Sequence, residues 1–281
     1  MSASTAQRWL NRAGEAARRT VPGQLGGVRT SGQLATDGLW ARLREGTTRV
    51  VLLLTHSVSG GVWPPVVARG EHEPGQWQRL FVRACGAGLD ATEPWGVTSD
   101  GATGLAGYLR QHWSWVLHQR CVFHVLRTGR DAVRGPPGLT REAKRAQRRE
   151  VLAAARTIGD TTERETCRRR WKEFAATWRG QEPDAVAALE RAFEATLGYC
   201  AAIGWARERG ETWAPHYLRT TSALERVDRA LRQKARQVGA FHTAGALAAA
   251  VVLVAAHRHL TIALPPRALW TNSLEEALLV A

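Results

Sequence analysis

The sequence predicts an α/β protein built on a mixed sheet in the order βββαβαβα, with an all-helical stretch set into its second half. Three observations carry this expectation. Between residues 33 and 119, short apolar runs alternate with Gly-containing turns, the signature of strands. Apolar residues at helical spacing fill the intervals between the later runs. Beyond Gly135-Pro136-Pro137-Gly138 the strand signal stops, and charged segments of helical periodicity follow. With 281 residues, 44% of them hydrophobic and 23% charged, the chain is long enough for one sizeable core, which excludes a mostly disordered protein.

Residues 1–30 read as an amphipathic stub around Trp9, Leu10, Ala13 and Ala17, followed by a connector containing Pro22, Gly23, Gly26 and Gly27. Leu34 to Leu43, Arg49 to His56 and Gly61 to Arg69 read as three strands, with turns at Glu45-Gly46 and Ser59-Gly60-Gly61. Turns this short predict an antiparallel meander. Val50 to Leu54 is apolar on both faces, so the middle strand is expected to be central and covered. Pro74 opens a helix in which Trp77, Leu80, Phe81 and Ala84 recur at helical spacing, to about Gly86. A strand from Trp95 to Ser99 runs into Asp100-Gly101. A helix over Thr103 to His112, a strand over Trp115 to Gln119 and a helix from Cys121 to about Val133 follow.

Residues 140–158, 161–179 and 184–208 all read as helical, with dense charge and no strand signal. Two helices, about 221–237 and 242–258, close the chain ahead of an apolar tail containing Pro265 and Pro266. The expected organisation is a stub and linker over 1–32, a first part of the core over 33–135, a helical insertion over 136–215, and the core's final helices over 216–281. The strands before the insertion need the helices after it to bury their second face.

Thirty-nine Lys and Arg against twenty-five Asp and Glu leave a formal charge of +14, which favours a polyanionic partner, nucleic acid before membrane. Only three of the basic residues are lysines, so arginine identity carries less weight here than net charge. Four cysteines without a CxxC pair argue against a disulfide framework and a zinc ribbon. The polar, Arg-rich start is unlike a signal peptide, and the apolar run Ala244 to Ala256 is short for a membrane span. The expected location is therefore cytoplasmic and nucleoid-associated, with no membrane partner.

Three acids stand out by position. Asp37 lies in mid-strand among apolar neighbours, where strands disfavour Asp. Asp100 sits where a buried strand ends and a glycine loop begins, the carboxyl end at which mixed α/β sheets place ligands. Glu225 falls in the first turn of a helix announced by Thr220, Thr221 and Ser222, where an acid also complements the helix dipole. Phosphodiester chemistry uses paired divalent cations about 3.5–4 Å apart, held by a few carboxylates. Downstream, Glu225, Arg229, Arg232 and Arg236 recur along one face of the same helix, a carboxylate continuing into an arginine ladder suited to a phosphate backbone. Cys121 and His124, three apart, share one face of a helix start; with no further ligand pair evident, packing or hydrogen bonding is favoured over zinc. Trp171, Phe174 and Trp178 fit core packing better than stacking on an unpaired base.

The segments Thr36-Asp37-Gly38-Leu39-Trp40, Ser99-Asp100-Gly101-Ala102, His118-Gln119-Arg120-Cys121-Val122-Phe123-His124 and Arg219-Thr220-Thr221-Ser222-Ala223-Leu224-Glu225-Arg226 resemble, in order and spacing, the catalytic core of Mutator-like bacterial insertion-sequence transposases. The resemblance covers about residues 33 to 260. It implies a ribonuclease H-like fold of the DDE type, with Asp37, Asp100 and Glu225 as catalytic residues and metal ligands. The all-helical insertion precedes the last of them. It further implies Mg²⁺, with Mn²⁺ as a substitute, double-stranded DNA as transposon end and target, and a homo-oligomer. Cys121 and His124 match the family's Cys-x-x-His signature, and Arg226, Arg229, Arg232 and Arg236 would contact DNA. Most of the usual N-terminal DNA-recognition region is expected to be lacking, and Ser222 stands where the family commonly has Asn. The alternatives are a truncated or domesticated, non-catalytic DNA-binding derivative, and a ribonuclease H-like nuclease.

Overall fold

The run Val50 to Leu54 has no solvent exposure at all, because apolar layers lie on both sides of it. In the computed structural model, which describes residues 5, 8, 9, 11–14, 16, 32–57, 60–208, 210, 216–238 and 240–263, this run is the middle of strand β2, Thr48–His56. β2 pairs antiparallel with β1, Gln33–Arg42, setting Asp37 opposite Leu53, and with β3, Val66–Ala68, setting Leu52 opposite Val66. The expected meander is therefore present. β3 is shorter than the expected Gly61 to Arg69 strand. Pro64 and Pro65 have no amide hydrogen for the ladder, so Val62 is left as an isolated bridge to Thr55. The stub and connector expected over 1–30 and the tail after Ala263 fall largely or wholly outside the described residues.

Helix α1, Pro74–Gly86, begins on a proline and buries Trp77, Leu80, Phe81 and Ala84. Strand β4, Gly96–Ser99, helix α2, Thr103–His112, strand β5, Leu117–Arg120, and helix α3, Val122–Ala132, follow in the expected order. The strands form one mixed five-stranded sheet in the order β3-β2-β1-β4-β5. The chain then continues through α4 (Arg141–Thr157), α5 (Arg164–Trp178), α6 (Pro183–Glu190), a 3-10 turn (Glu194–Thr196), α7 (Gly198–Glu208) and α8 (His216–Arg219). Helices α9, Ser222–Val238, and α10, Ala244–Ala263, complete it.

The chain groups into two compact units. The first holds Met1–Val97, Gly101–Val116 and Thr221–Ala281; the second holds Thr98–Asp100 and Leu117–Thr220. The first unit is layered about β2, whose side chains alternate between its two faces. Val50, Leu52 and Leu54 join one core with Trp77, Leu80 and Phe81 of α1 and Leu105 and Leu109 of α2. Val51 and Leu53 join the other with Leu224, Val227 and Leu231 of α9 and Leu247 and Val251 of α10.

In the second unit the helical stretch expected over 184–208 is divided between α6 and α7, and Gln119 holds the backbone at the break. Its amide nitrogen donates to the Thr196 carbonyl at 2.8 Å, while its amide oxygen accepts the Tyr199 N–H at 2.7 Å. Backbone groups that a continuous helix would pair internally are thus held by a side chain from β5. Gln119 is almost wholly buried. Gln119→Ala leaves the Tyr199 N–H and Thr196 carbonyl unpaired, and is expected to lower stability by about 2 kcal/mol in a urea titration. An unchanged midpoint would mean that water replaces the amide. Glu182, also buried, accepts the N–H groups of Arg134 and Gly135, both at 2.9 Å, and so anchors the turn that leaves α3.

Candidate functional site

Asp37 lies between Ala35 and Leu39 on one face of β1, by strand alternation. Ala35 and Leu39 belong to the core that contains Leu224, Val227 and Leu231, so Asp37 is carried on the sheet face that α9 covers. Only 6% of it is exposed, and its Oδ1 accepts the Gly38 N–H at 2.8 Å. Thr36, pointing the other way, donates its hydroxyl to the Leu53 carbonyl at 2.7 Å and fixes the strand register beside Asp37.

Helix α9 presents its side chains by helical arithmetic. Leu224, Val227, Asp228 and Leu231, at i, i+3, i+4 and i+7, are buried, while Arg229, Arg232 and Arg236 are exposed. Glu225 is half-buried in the first turn, its N–H donating to the Thr221 carbonyl at 3.1 Å. The side chains of Arg226 and Val238 lie outside the described residues. The first unit therefore brings Asp37 and the helix bearing Glu225 to the same side of the sheet.

The reading of the sequence passed over Asp228, although the same four-residue stripe marks it for burial. Its Oδ1 is buried without a hydrogen-bond partner. Burial pushes its carboxyl up to about 6; Arg232 acts against the shift and Glu225, one turn earlier, adds to it.

Asp100, in the second unit, is half-buried at the end of β4, ahead of Gly101 at φ +94°. Just before it, the Ser99 hydroxyl and His118 Nε2 share a hydrogen bond of 2.7 Å. Burial, aided by Arg120 and opposed by Asp100, lowers His118 to about 4, so its imidazole is neutral at neutral pH. A neutral ring tying β5 to Ser99 fixes the strand end that carries Asp100. The buried Cys121 donates its backbone N–H to the Ser99 carbonyl at 2.6 Å, and His124 is half-buried in the following turn of α3. Among the described residues, no group of three or more His, Cys, Asp or Glu side chains is gathered closely enough to hold a metal ion.

The arginines of α5 are largely engaged by acids. Arg168 pairs with Glu194 at 2.9 Å and with Glu165 at 2.7 Å, Arg164 with Glu194 at 3.3 Å, and Arg169 with Glu173 at 3.0 Å. Paired in this way, they offer less net charge to a polyanion than their number suggests. Trp171 packs against Phe193, with ring centroids 4.8 Å apart, and against Phe174 at 5.6 Å. Among the described residues no helix is long and apolar enough to cross a membrane.

A sequence-family model described as "Transposase, Mutator family" matches residues 61–262. The match takes in Asp100, Cys121, His124 and Glu225, and begins after Asp37. No curated protein matches the chain.

Proposed function

The chain belongs to the Mutator family of transposases, and from that premise we propose that it cuts and joins DNA strands at transposon ends as a DDE-type catalytic core. The family membership makes DNA the partner and a transposase the activity class. The proposal adds a ribonuclease H-like architecture, divided into residues 33–135 and 216–281 about a helical insertion at 136–215, and an oligomer that holds two DNA ends. It takes Asp37, Asp100 and Glu225 as the metal-holding carboxylates. Their hard oxygen donors suit Mg²⁺ or Mn²⁺. When bound, the cations would supply Lewis-acid charge to the attacking and leaving oxygens.

The protein's own residues would do the positioning. β1 holds Asp37 on the face that α9 covers, which is the single observation that best supports this reading. His118, neutral, ties down Ser99 and so the strand end at Asp100. Arg229, Arg232 and Arg236, exposed along α9, would lie on the phosphate backbone, with Arg226 beside them in sequence. Asp100 belongs to a different compact unit from the other two acids, and the reading requires all three to share the metal ions.

The test uses end-labelled duplexes carrying the element's own terminus, with Mg²⁺ or Mn²⁺, resolved on a denaturing gel. Cut and joined strands are expected. Cut strands alone would assign a nuclease, and salt-sensitive binding without either product would assign a DNA-binding derivative.

A further inference from the structure

We propose that the end of the β1–β2 hairpin, through Arg44 with His242 beside it, grips a DNA phosphate about six base pairs from the cut. The proposal rests on the reading in which Asp37 and Glu225 mark the cutting site. All of these residues belong to the first unit. α9 runs alongside β1: Ala35, Leu39 and Leu43 share one core with Leu224, Val227, Leu231 and Phe241. From Glu225 to the end of α9 at Val238 the helix rises about 20 Å, at about 1.5 Å per residue. From Asp37 to Leu43, just past β1, the extended chain covers about the same length, at about 3.3 Å per residue. Leu43 then bridges Phe241, so strand and helix deliver the chain to one place. At about 3.4 Å per base pair, that length of duplex is about six base pairs. Along the way Arg229, Arg232 and Arg236 stand exposed on one flank of α9.

The hairpin end is firmly held. The Leu43 N–H donates to the Thr47 carbonyl at 2.8 Å and the Gly46 N–H to the Leu43 carbonyl at 2.9 Å, closing the turn. Gly46 takes φ +89°, which glycine adopts without strain. The Arg44 N–H donates to the Phe241 carbonyl at 2.9 Å, and Arg44 Nη1 lies 3.1 Å from His242 Nε2. A guanidinium can only donate, so Nε2 accepts and the ring carries its proton on Nδ1. That leaves the imidazole N–H and the other guanidinium N–H groups as donors, on two exposed residues held side by side. A guanidinium fork matches the oxygens of a phosphate. Glu45, the acid of this turn, is engaged elsewhere: it accepts the Thr47 hydroxyl at 2.6 Å and faces Arg49 at 4.0 Å. Among the described residues no acid forms an ion pair with Arg44, Arg229, Arg232 or Arg236, in contrast to the paired arginines of α5. Their charge is available to a polyanion.

The experiment titrates labelled duplexes carrying the element's terminus with the full chain, by fluorescence anisotropy at several salt concentrations. One duplex extends about twelve base pairs on both sides of the cut, and two others are trimmed to about four, one on the element side and one on the flanking side. Arg44→Ala is expected to weaken binding of the long duplex about fivefold and to lower the salt slope by about one. His242→Ala is expected to weaken it about threefold. Either loss should vanish on at least one trimmed duplex, which identifies the side of the cut that the hairpin holds. Arg79→Ala removes an exposed arginine of α1, whose helix packs on the opposite face of the sheet, and should bind as the parent does. Parental affinity in Arg44→Ala, an equal loss in Arg79→Ala, or a loss that persists on both trimmed duplexes would overturn the hairpin contact and leave the transposase reading standing. If a lowered melting temperature shows that Arg44→Ala folds poorly, the same three outcomes are read from His242→Ala. Failure of the parent protein to bind any duplex would sink the transposase reading and the hairpin contact with it.

Discussion

Asp37→Asn and Glu225→Gln are each expected to abolish metal-dependent strand cleavage and joining, a loss of about a thousandfold or more, with the fold intact. Removing one carboxylate from a two-metal site withdraws several kcal/mol of transition-state charge stabilisation, which corresponds to a rate loss of about that size. Asparagine keeps the shape of Asp37 and the oxygen that accepts the Gly38 N–H, and Glu225 is only half-buried at a helix start. Circular dichroism melts should therefore overlay those of the parent protein. DNA binding should persist, because Arg229, Arg232 and Arg236 are untouched. Parental cleavage in either variant would remove that residue from the metal set, and collapse of the fold would instead make it a structural acid.

Local patterns carried much of this architecture, and long-range contacts carried the rest. The unbroken apolar run of β2 announced burial on both faces, and Pro74 announced the start of α1. Asp37 was conspicuous because it interrupts an apolar strand. The break between α6 and α7 was not readable, since periodicity continues across it and the side chain that holds it belongs to Gln119, some eighty positions away. Pro64 and Pro65 were legible as ladder-breakers and should have shortened β3. The stripe along α9 held Asp228 in plain view, but a carboxylate is ordinarily assigned to the wet face of a helix, and only packing shows that this one is covered. Which side of the sheet carries Asp37 depends on α9 returning after more than 180 intervening residues, and no local pattern reports such a return.

Asp228→Asn is expected to stabilise the protein by about 2–3 kcal/mol at pH 8 and to leave it unchanged at pH 4, taking the shift as an energy. The carboxyl rises from its ordinary 3.8 to about 6 on folding, chiefly because burial penalises its charge. Between those values the folded state binds more protons than the unfolded one, so this group's contribution falls as pH rises through that window and stays lost above it. Buried His56 and half-buried His118 act in the opposite sense. Each is lowered from 6.5 to about 4, so the unfolded state binds more protons there and stability rises with pH over the same range. Two histidines outweigh one carboxylate, so the parent protein should still gain stability from pH 4 to pH 7. The histidines are common to both proteins and cancel in the difference, leaving a gap that opens only as Asp228 ionises. Urea denaturation at pH 4, 6 and 8 measures it. A gap of the same size at every pH would mean that the asparagine acts through packing, and no gap at pH 8 would mean that the ionised carboxylate finds a partner.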